Sequence, residues 1–273
     1  MTSTGLGPAI ELTGISMVYP TAAGGEYTAV RGIDLSVAAG RFVTIVGPTG
    51  CGKSTILNAV AGLVEPSTGT VTVDGQPLTG LNHRAGYMFQ QDALLPWKTV
   101  VDNVAFGLEL RGIGRAERTE RAREWIRRVG LTGFEDAYPH QLSGGMRKRT
   151  AVAQTWIVEP DILLMDEPFG ALDVQTRQIM EHELLQLWTG TGKTVLFVTH
   201  DLDEAIALSD EVVLLSAGPG SHLVGSYPVE LDRPRDLLDV HTRPEFTQMY
   251  SKIWTDLREE VMRSYERHAT GSR

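Results

Sequence analysis

Three features of this sequence predict an α/β fold, with a parallel sheet covered on both faces and a helical insert interrupting it. First, short apolar runs that read as buried strands (Phe42–Val46, Ile162–Met165, Val195–Val198, Val212–Leu215) are separated by segments with helical spacing of apolar residues. Second, the texture between Val100 and Ile157 is mainly helical. Third, the stretch Gly47-Pro48-Thr49-Gly50-Cys51-Gly52-Lys53-Ser54 joins the Phe42–Val46 run to Thr55–Ala61, which has helical spacing. Strand, glycine-rich loop ending in Gly-Lys-Ser, then helix is the context a P-loop needs. Its glycines let successive N–H groups face one anion at the positive end of the following helix. Lys53 supplies a point charge for β- and γ-phosphates, and Ser54 offers a hydroxyl to Mg²⁺. A glycine-rich turn that matches by chance is the alternative, and the downstream residues decide against it.

Taken in order, Met1–Pro8 is small and rich in Gly and Pro, and is expected to fray. Ile10–Tyr19 reads as a strand, Pro20–Gly25 as a loop, and Ala29–Val37 as a second strand leading through Gly40 into Phe42–Val46. After the P-loop helix, Pro66 and Gly69 mark a turn, and Thr70–Val73 alternates as a strand up to Asp74-Gly75. Helices are expected at Val101–Leu110, Arg115–Val129 and Gly145–Val158. The middle one interleaves arginines with Glu117, Glu120 and Glu124, the pattern of a solvated helix laced with ion pairs, with a partner-facing or lipid-headgroup face as the alternative. Further helices are expected at Val174–Trp188 and Leu202–Leu208. About forty residues follow from Leu231, enough for terminal helices only.

Composition narrows the function classes. Apolar content of 42% and charged content of 22% are ordinary globular values. A formal net charge of −9 argues against a general nucleic-acid binder. The single Cys51 cannot form an intramolecular disulfide, which fits a reducing compartment. No signal peptide is expected, and no apolar stretch approaches the ~18 residues that cross a bilayer, so the chain itself is expected to be soluble. Within the phosphate loop, N–H groups and Lys53 are expected to favour the Cys51 thiolate, with a buried inert cysteine as the alternative.

The run Ile162-Leu163-Leu164-Met165-Asp166-Glu167-Pro168 puts two acids at the end of a buried strand, where open α/β sheets bind ligands. Asp166 is the natural Mg²⁺ partner. Glu167 points elsewhere and suits a general base that deprotonates water. In Leu142-Ser143-Gly144-Gly145-Met146, Ser143 and two glycines open a helix with free N–H groups, a second anion site or an ordinary Ser cap.

Together, Gly47–Ser54, Leu142–Met146, Leu164–Pro168, Ala171-Leu172-Asp173 and Thr199-His200 resemble the nucleotide-binding subunit of an ABC transporter, with every motif in family order. The resemblance implies a P-loop NTPase (RecA-like) core and antiparallel β subdomain over 9–90 and 159–230, a helical subdomain inserted at 91–158, and a C-terminal helical extension at 231–273. It implies ATP and Mg²⁺ as cofactors and a head-to-tail dimer, homomeric or with a close paralogue, in which the signature of one chain closes on the P-loop of the other. By carry-over, Gly47 to Thr55 hold the phosphates, and Ser54, Gln90 and Asp166 the Mg²⁺ shell. Glu167 activates water, His200 steadies the γ-phosphate, Lys53 pairs the phosphates, and Ser143, Gly144, Gly145 and Asp173 line the partner's site. Tyr19 matches the aromatic that stacks on adenine, with Tyr27 as its rival.

Leu-Ser-Gly-Gly-Met, Ala93-Leu94-Leu95-Pro96-Trp97, and the tail segments Arg233-Pro234-Arg235-Asp236 and Pro244-Glu245-Phe246 are similar to the nitrate/sulfonate/taurine/bicarbonate importer ATPases. Lys148 departs from that group, which usually has Gln there. The implied function is ATP hydrolysis coupled to uptake of a small solute, with anions the first candidates. The implied partners are separate transmembrane permease subunits and, indirectly, a solute-binding protein, with no nucleic acid. The implied location is peripheral, on the cytoplasmic face of the inner or plasma membrane. The alternatives are a soluble ABC-type ATPase outside transport and a P-loop kinase; the Leu142–Met146 motif argues against the kinase.

Overall fold

A computed structural model describes residues 7–21, 24–237 and 239–270, so most of the Met1–Pro8 stretch and the centre of the Pro20–Gly25 loop lie outside the described residues. Two sheets form the frame. Four antiparallel strands, β1 (Ile10–Pro20), β2 (Glu26–Val37), β4 (Thr68–Val73) and β5 (Gln76–Pro77), are ordered β2-β1-β4-β5. Six strands, β3 (Phe42–Val46), β6 (Ala85–Met88), β7 (Ile162–Asp166), β8 (Thr194–Val198), β9 (Glu211–Leu215) and β10 (Leu223–Pro228), are ordered β10-β9-β3-β8-β7-β6. All pairings in the second sheet are parallel except β10 with β9.

The central strands are buried on both faces, and their side-chain alternation divides the core in two. Phe42, Leu163, Met165, Val195, Phe197, Val212 and Leu214 enter one cluster. Val43, Ile45, Ile162, Leu164, Leu196, Val198, Val213 and Leu215 enter the other. The first cluster is filled from α2 (Val100–Leu110), α3 (Arg115–Arg128), α4 (Gly144–Trp156), α5 (Val174–Trp188), α6 (Leu202–Leu208) and α7 (Pro244–Thr270). The second is filled from α1 (Lys53–Val60) and the four-stranded sheet. Both faces of the parallel sheet are therefore covered, as expected.

Several boundaries move for physical reasons. β2 starts at Glu26, not Ala29, because Glu26 and Tyr27 pair with Pro20 and Tyr19 of β1. Helix α4 stops at Trp156, not Val158: Glu159 has φ +52° and precedes Pro160, a position that disfavours helix. The α3 surface carries Arg121–Glu117 and Arg121–Glu159 pairs at 3.9 and 3.3 Å, and Arg128 pairs Glu124, the solvated pattern expected. The tail is held by two arginines. Arg233 Nε lies 2.8 Å from Asp210 Oδ1. Arg235 is buried and donates to the carbonyls of Ile206, Ala207 and Ser209, the oxygens a helix C-terminus leaves unpaired. Leu231, Leu237, Phe246, Ile253 and Leu257 share the first cluster, so the tail packs on the core.

Candidate active site

The strand order explains why residues far apart in sequence meet. β3, β8, β7 and β6 are consecutive parallel neighbours, with Ile45 and Asp166 both opposite Val198, and Met88 opposite Met165. Their carboxyl ends therefore share one edge. Within two residues of those ends stand Gly47, His200, Glu167 and Gln90. A cleft of about 470 Å³ at that edge is lined by Thr49–Gly50 and Gly52–Thr55 on one side and by Gln90, Glu167 and His200 on the other, with Tyr19 and Tyr27 at its rim.

The phosphate loop is pressed between β2 and β9. Gly52 has φ +96°, and a Cβ there would stand 2.6 Å from Val30 Cγ1. A Cβ at Gly47 would stand 2.9 Å from Cys51 Sγ and 3.0 Å from the Leu215 carbonyl oxygen. Only glycine fits either place. Lys53 is 5% exposed, and its ammonium donates to the carbonyls of Gly47 at 2.9 Å and Pro48 at 3.2 Å. Cys51 is fully buried, and burial pushes its thiol up against the opposing charge of Lys53. The expected thiolate is thus corrected: desolvation outweighs the local positive potential. Gly47, Pro48 and Cys51 do not line the cleft, and the Cys51 sulfur packs against Gly47 inside the loop.

At the end of β7, Ser54 Oγ donates to Asp166 Oδ1 at 2.8 Å. Burial pushes the Asp166 carboxyl up, and the Ser54 hydrogen bond opposes it. Ser54 and Asp166 thus bring a hydroxyl and a carboxylate together, oxygen donors of the kind Mg²⁺ takes, while the Gln90 side chain meets Glu167. Glu167 adopts φ +42°, rare for a residue with a Cβ. Its Oε2 lies 3.1 Å from His200 Nδ1 and accepts from Gln90 Nε2 at 3.4 Å, while Oε1 lies 3.9 Å from Lys53 Nζ. Lys53, Gln90, Glu167 and His200 thus form one cluster around a single carboxylate.

Tyr19 and Tyr27 are direct cross-strand partners on β1 and β2, so both side chains stand on one face of the sheet. Ser143, Gly144, Gly145 and Asp173 do not line this cleft. Ser143 caps α4, its hydroxyl accepting from the Met146 N–H at 3.3 Å. Asp173 caps α5 by accepting from the Thr176 N–H at 3.0 Å, and these backbone donors hold its carboxyl below the usual carboxylate range. The two caps adjoin, because a Cβ at Gly145 would meet Thr176 Cγ2 at 3.0 Å.

One contributor has no motif of its own. Lys148 on α4 is 2% exposed; its ammonium donates to the Gln90 carbonyl at 2.8 Å and lies 3.0 Å from Asp92 Oδ1. Arg147 Nε holds the other Asp92 oxygen at 3.0 Å. The helix opened by Ser143 is thereby tied to the Gln90 backbone.

Behind His200, Glu181 of α5 and Glu204 of α6 are both buried. Burial pushes Glu181 up to about 7 from 4.5, with the charge of Asp201 adding to it. Burial, then the charge of Glu181, pushes Glu204 well above the usual range. A raised folded-state pKa means that the folded state binds the extra proton. Stability is therefore lost as pH climbs from the ordinary glutamate range through about 7. Glu181→Gln, which mimics the protonated form, is expected to be more stable than wild type at pH 8 by about 3 kcal/mol, with the gap closing toward pH 5. Urea unfolding at the two pH values checks this; a gap independent of pH would contradict it.

Residues 30–170 match the ABC transporter family. An uncharacterized ABC transporter ATP-binding protein of Methanocaldococcus jannaschii is 49% identical over 241 residues, 88% of each chain. The taurine import ATP-binding protein TauB of Yersinia pestis is 48% identical over 192 residues, 70% of this chain and 75% of that one. The bicarbonate transport ATP-binding protein CmpC of Synechococcus elongatus is 41% identical over 246 residues, 89% of this chain and 37% of that longer one. Among solved structures, a dimeric bacterial ABC transporter cassette superposes with a TM-score of 0.73 at 31% identity, covering 82% of this chain and all (100%) of the cassette. The same cassette in a post-hydrolysis state bound to ADP and Pi matches with a TM-score of 0.73 at 30% identity, over 82% of this chain and 100% of the cassette. On the P-loop fold and these relatives together, the chain belongs to the ABC transporter family, as one of its ATP-binding ATPase subunits.

Proposed function

We propose that this chain energises an ABC importer, working as a head-to-tail dimer at the cytoplasmic face of the membrane beneath separate permease subunits that receive a small solute from a binding protein. The observation that carries this reading is the division of the motifs. Lys53, Gln90, Glu167 and His200 share one cleft, while the Ser143–Gly145 and Asp173 caps form a second surface outside it. A second copy would bring its caps to the first copy's cleft, adding helix N-terminal N–H groups to the γ-phosphate. Among the relatives, the taurine import ATP-binding protein supports the direction of transport, and it and the bicarbonate transport ATP-binding protein support a small solute that carries an anionic group. Phe89, Trp97 and Leu110 are exposed large hydrophobics on the Gln90–Trp97 side and on the helical segment 91–158, which supports that face as the permease seat.

In this reading Tyr19, partly buried against the second core cluster, stacks on adenine, and Tyr27 flanks it. Ser54, Asp166 and the amide oxygen of Gln90 would hold Mg²⁺, which when bound neutralises charge on the β- and γ-phosphates. Glu167 takes a proton from water as its oxygen attacks the γ-phosphorus, and the bond to the β-phosphate oxygen breaks to leave ADP. His200 and Lys53 steady the charge that gathers on the γ-phosphate oxygens. Catalysis is mainly positioning and charge stabilisation.

The isolated chain is accordingly expected to be a weak ATPase, monomeric without ATP, whose specific activity rises with protein concentration. Phosphate release measured across a concentration series, with gel filtration in the presence of ATP, checks this. A constant specific activity from a species that stays monomeric with ATP would overturn the shared site.

A further inference from the structure

The C-terminal helix takes no part in the steps above, yet it reaches the turn that backs the phosphate loop. Glu260 of α7 is 4% exposed, a carboxylate costly to bury without donors. Its Oε2 accepts the backbone N–H of Ala217 at 2.8 Å, and its Oε1 pairs with Arg263, whose side chain is mostly in solvent. Ala217 opens the turn between β9 and β10, and that turn lies directly against the loop. A Cβ on Gly218 would stand 3.3 Å from the Gly50 carbonyl oxygen and 3.5 Å from Cys51 Cα. At the other end of the turn, the buried Ser221 hydroxyl donates to the Cys51 carbonyl. The turn is also stitched to β2: the Gly220 N–H donates to Thr28 O at 2.6 Å, and the Arg31 N–H to Ser221 O at 2.8 Å. Glu260, the 217–221 turn and the Gly50–Cys51 backbone form a continuous stack.

We propose that Glu260 is a positioning residue for ATP: by fixing the 217–221 turn from behind, it holds the phosphate loop in its anion-binding curl. The physical reason is population. Gly50 and Gly52 sit at φ +76° and +96°, and glycines leave such conformations readily when nothing restrains them. If the braced curl becomes only a fraction of the ensemble, the apparent affinity falls by that fraction. The proposal rests on the loop being the phosphate site, and its test separates the two.

MgATP binding to the full-length chain by calorimetry, with a thermal melt of each variant, is the measurement. Glu260→Leu removes the carboxylate that takes the Ala217 N–H and is expected to raise Kd about tenfold. Glu260→Gln keeps an oxygen for that N–H and is expected to bind within about twofold of wild type. Ser221→Ala breaks the stack at the other end and is expected to weaken binding in the same direction, which keeps the test decisive should Glu260→Leu fold poorly. Ile253→Val trims α7 inside the hydrophobic core and should lower the melting point while leaving Kd unchanged. Wild-type affinity in both Glu260→Leu and Ser221→Ala, or equal weakening by Ile253→Val, would overturn the proposal and leave α7 a merely structural helix. Wild-type affinity in Lys53→Ala would instead overturn the phosphate-site assignment itself.

Discussion

Glu167→Gln is expected to lower ATP turnover by about 10²–10⁴-fold, the range general acid–base catalysis contributes, while ATP binding survives. The glutamine keeps the shape of the side chain and can still meet Gln90 and His200, which stand 3.4 and 3.1 Å from the native Oε2. It cannot accept a proton from water. Binding should persist because Lys53, Ser54 and Asp166 are untouched, and Ser54 still reaches Asp166 at 2.8 Å. Removing a carboxylate that would face the γ-phosphate also relieves like-charge repulsion. The variant is therefore expected to accumulate as an ATP-bound dimer on gel filtration. The strained backbone at Glu167, φ +42°, supports the assignment, since such conformations persist where the surroundings impose them and gather at active sites. Turnover at the wild-type rate would move the base elsewhere, with His200 first in line. Loss of ATP binding would place Glu167 in the Mg²⁺ shell and undo the separation of roles between the two acids.

What could be read from the chain depended on whether a residue's role is set locally. The P-loop was legible because strand, loop and helix are adjacent in sequence, and so were the Ser143 and Asp173 caps, each satisfied within three residues. The meeting of Gln90, Glu167 and His200 was not legible from periodicity. It follows from the order β3-β8-β7-β6, which no local pattern encodes; family resemblance supplied it. Strands β6 and β10 have no clear apolar run because they sit at the sheet edges and carry Gly86, Gly225 and Pro228. Cys51 misled for a related reason. Its neighbours in sequence favour a thiolate, but its neighbours in space, Leu215 beyond Gly47 and the 217–221 turn, bury it. Lys148 looked only like a departure from a related group, yet its ammonium is buried on the carbonyl of the residue that faces Glu167.

Lys53→Ala is expected to impair function at the earlier step, binding. Charge-assisted hydrogen bonds contribute about 1.5–3 kcal/mol, which corresponds to roughly 10–100-fold in ATP affinity. Turnover should fall further, by about 10²–10³-fold beyond the binding loss, because charge moves toward the bridging and γ-phosphate oxygens as the bond breaks. The side chain is well placed for this. The side chain is 5% exposed, and its ammonium, held by the Gly47 and Pro48 carbonyls, stands 3.9 Å from Glu167, so it is fixed at the loop before any phosphate arrives. Lys53→Arg should not rescue, since a planar fork cannot occupy the space of a compact ammonium enclosed by two carbonyls. Without bound ATP to bridge two copies, Lys53→Ala should also remain monomeric at concentrations where Glu167→Gln dimerises. Calorimetric titration with MgATP beside gel filtration separates the variants: Glu167→Gln binds and dimerises, whereas Lys53→Ala binds weakly and stays monomeric. If Lys53→Ala binds MgATP as the wild type does, the glycine-rich loop is not where the phosphates sit. If it binds weakly yet dimerises with ATP, the nucleotide is not what joins the two copies.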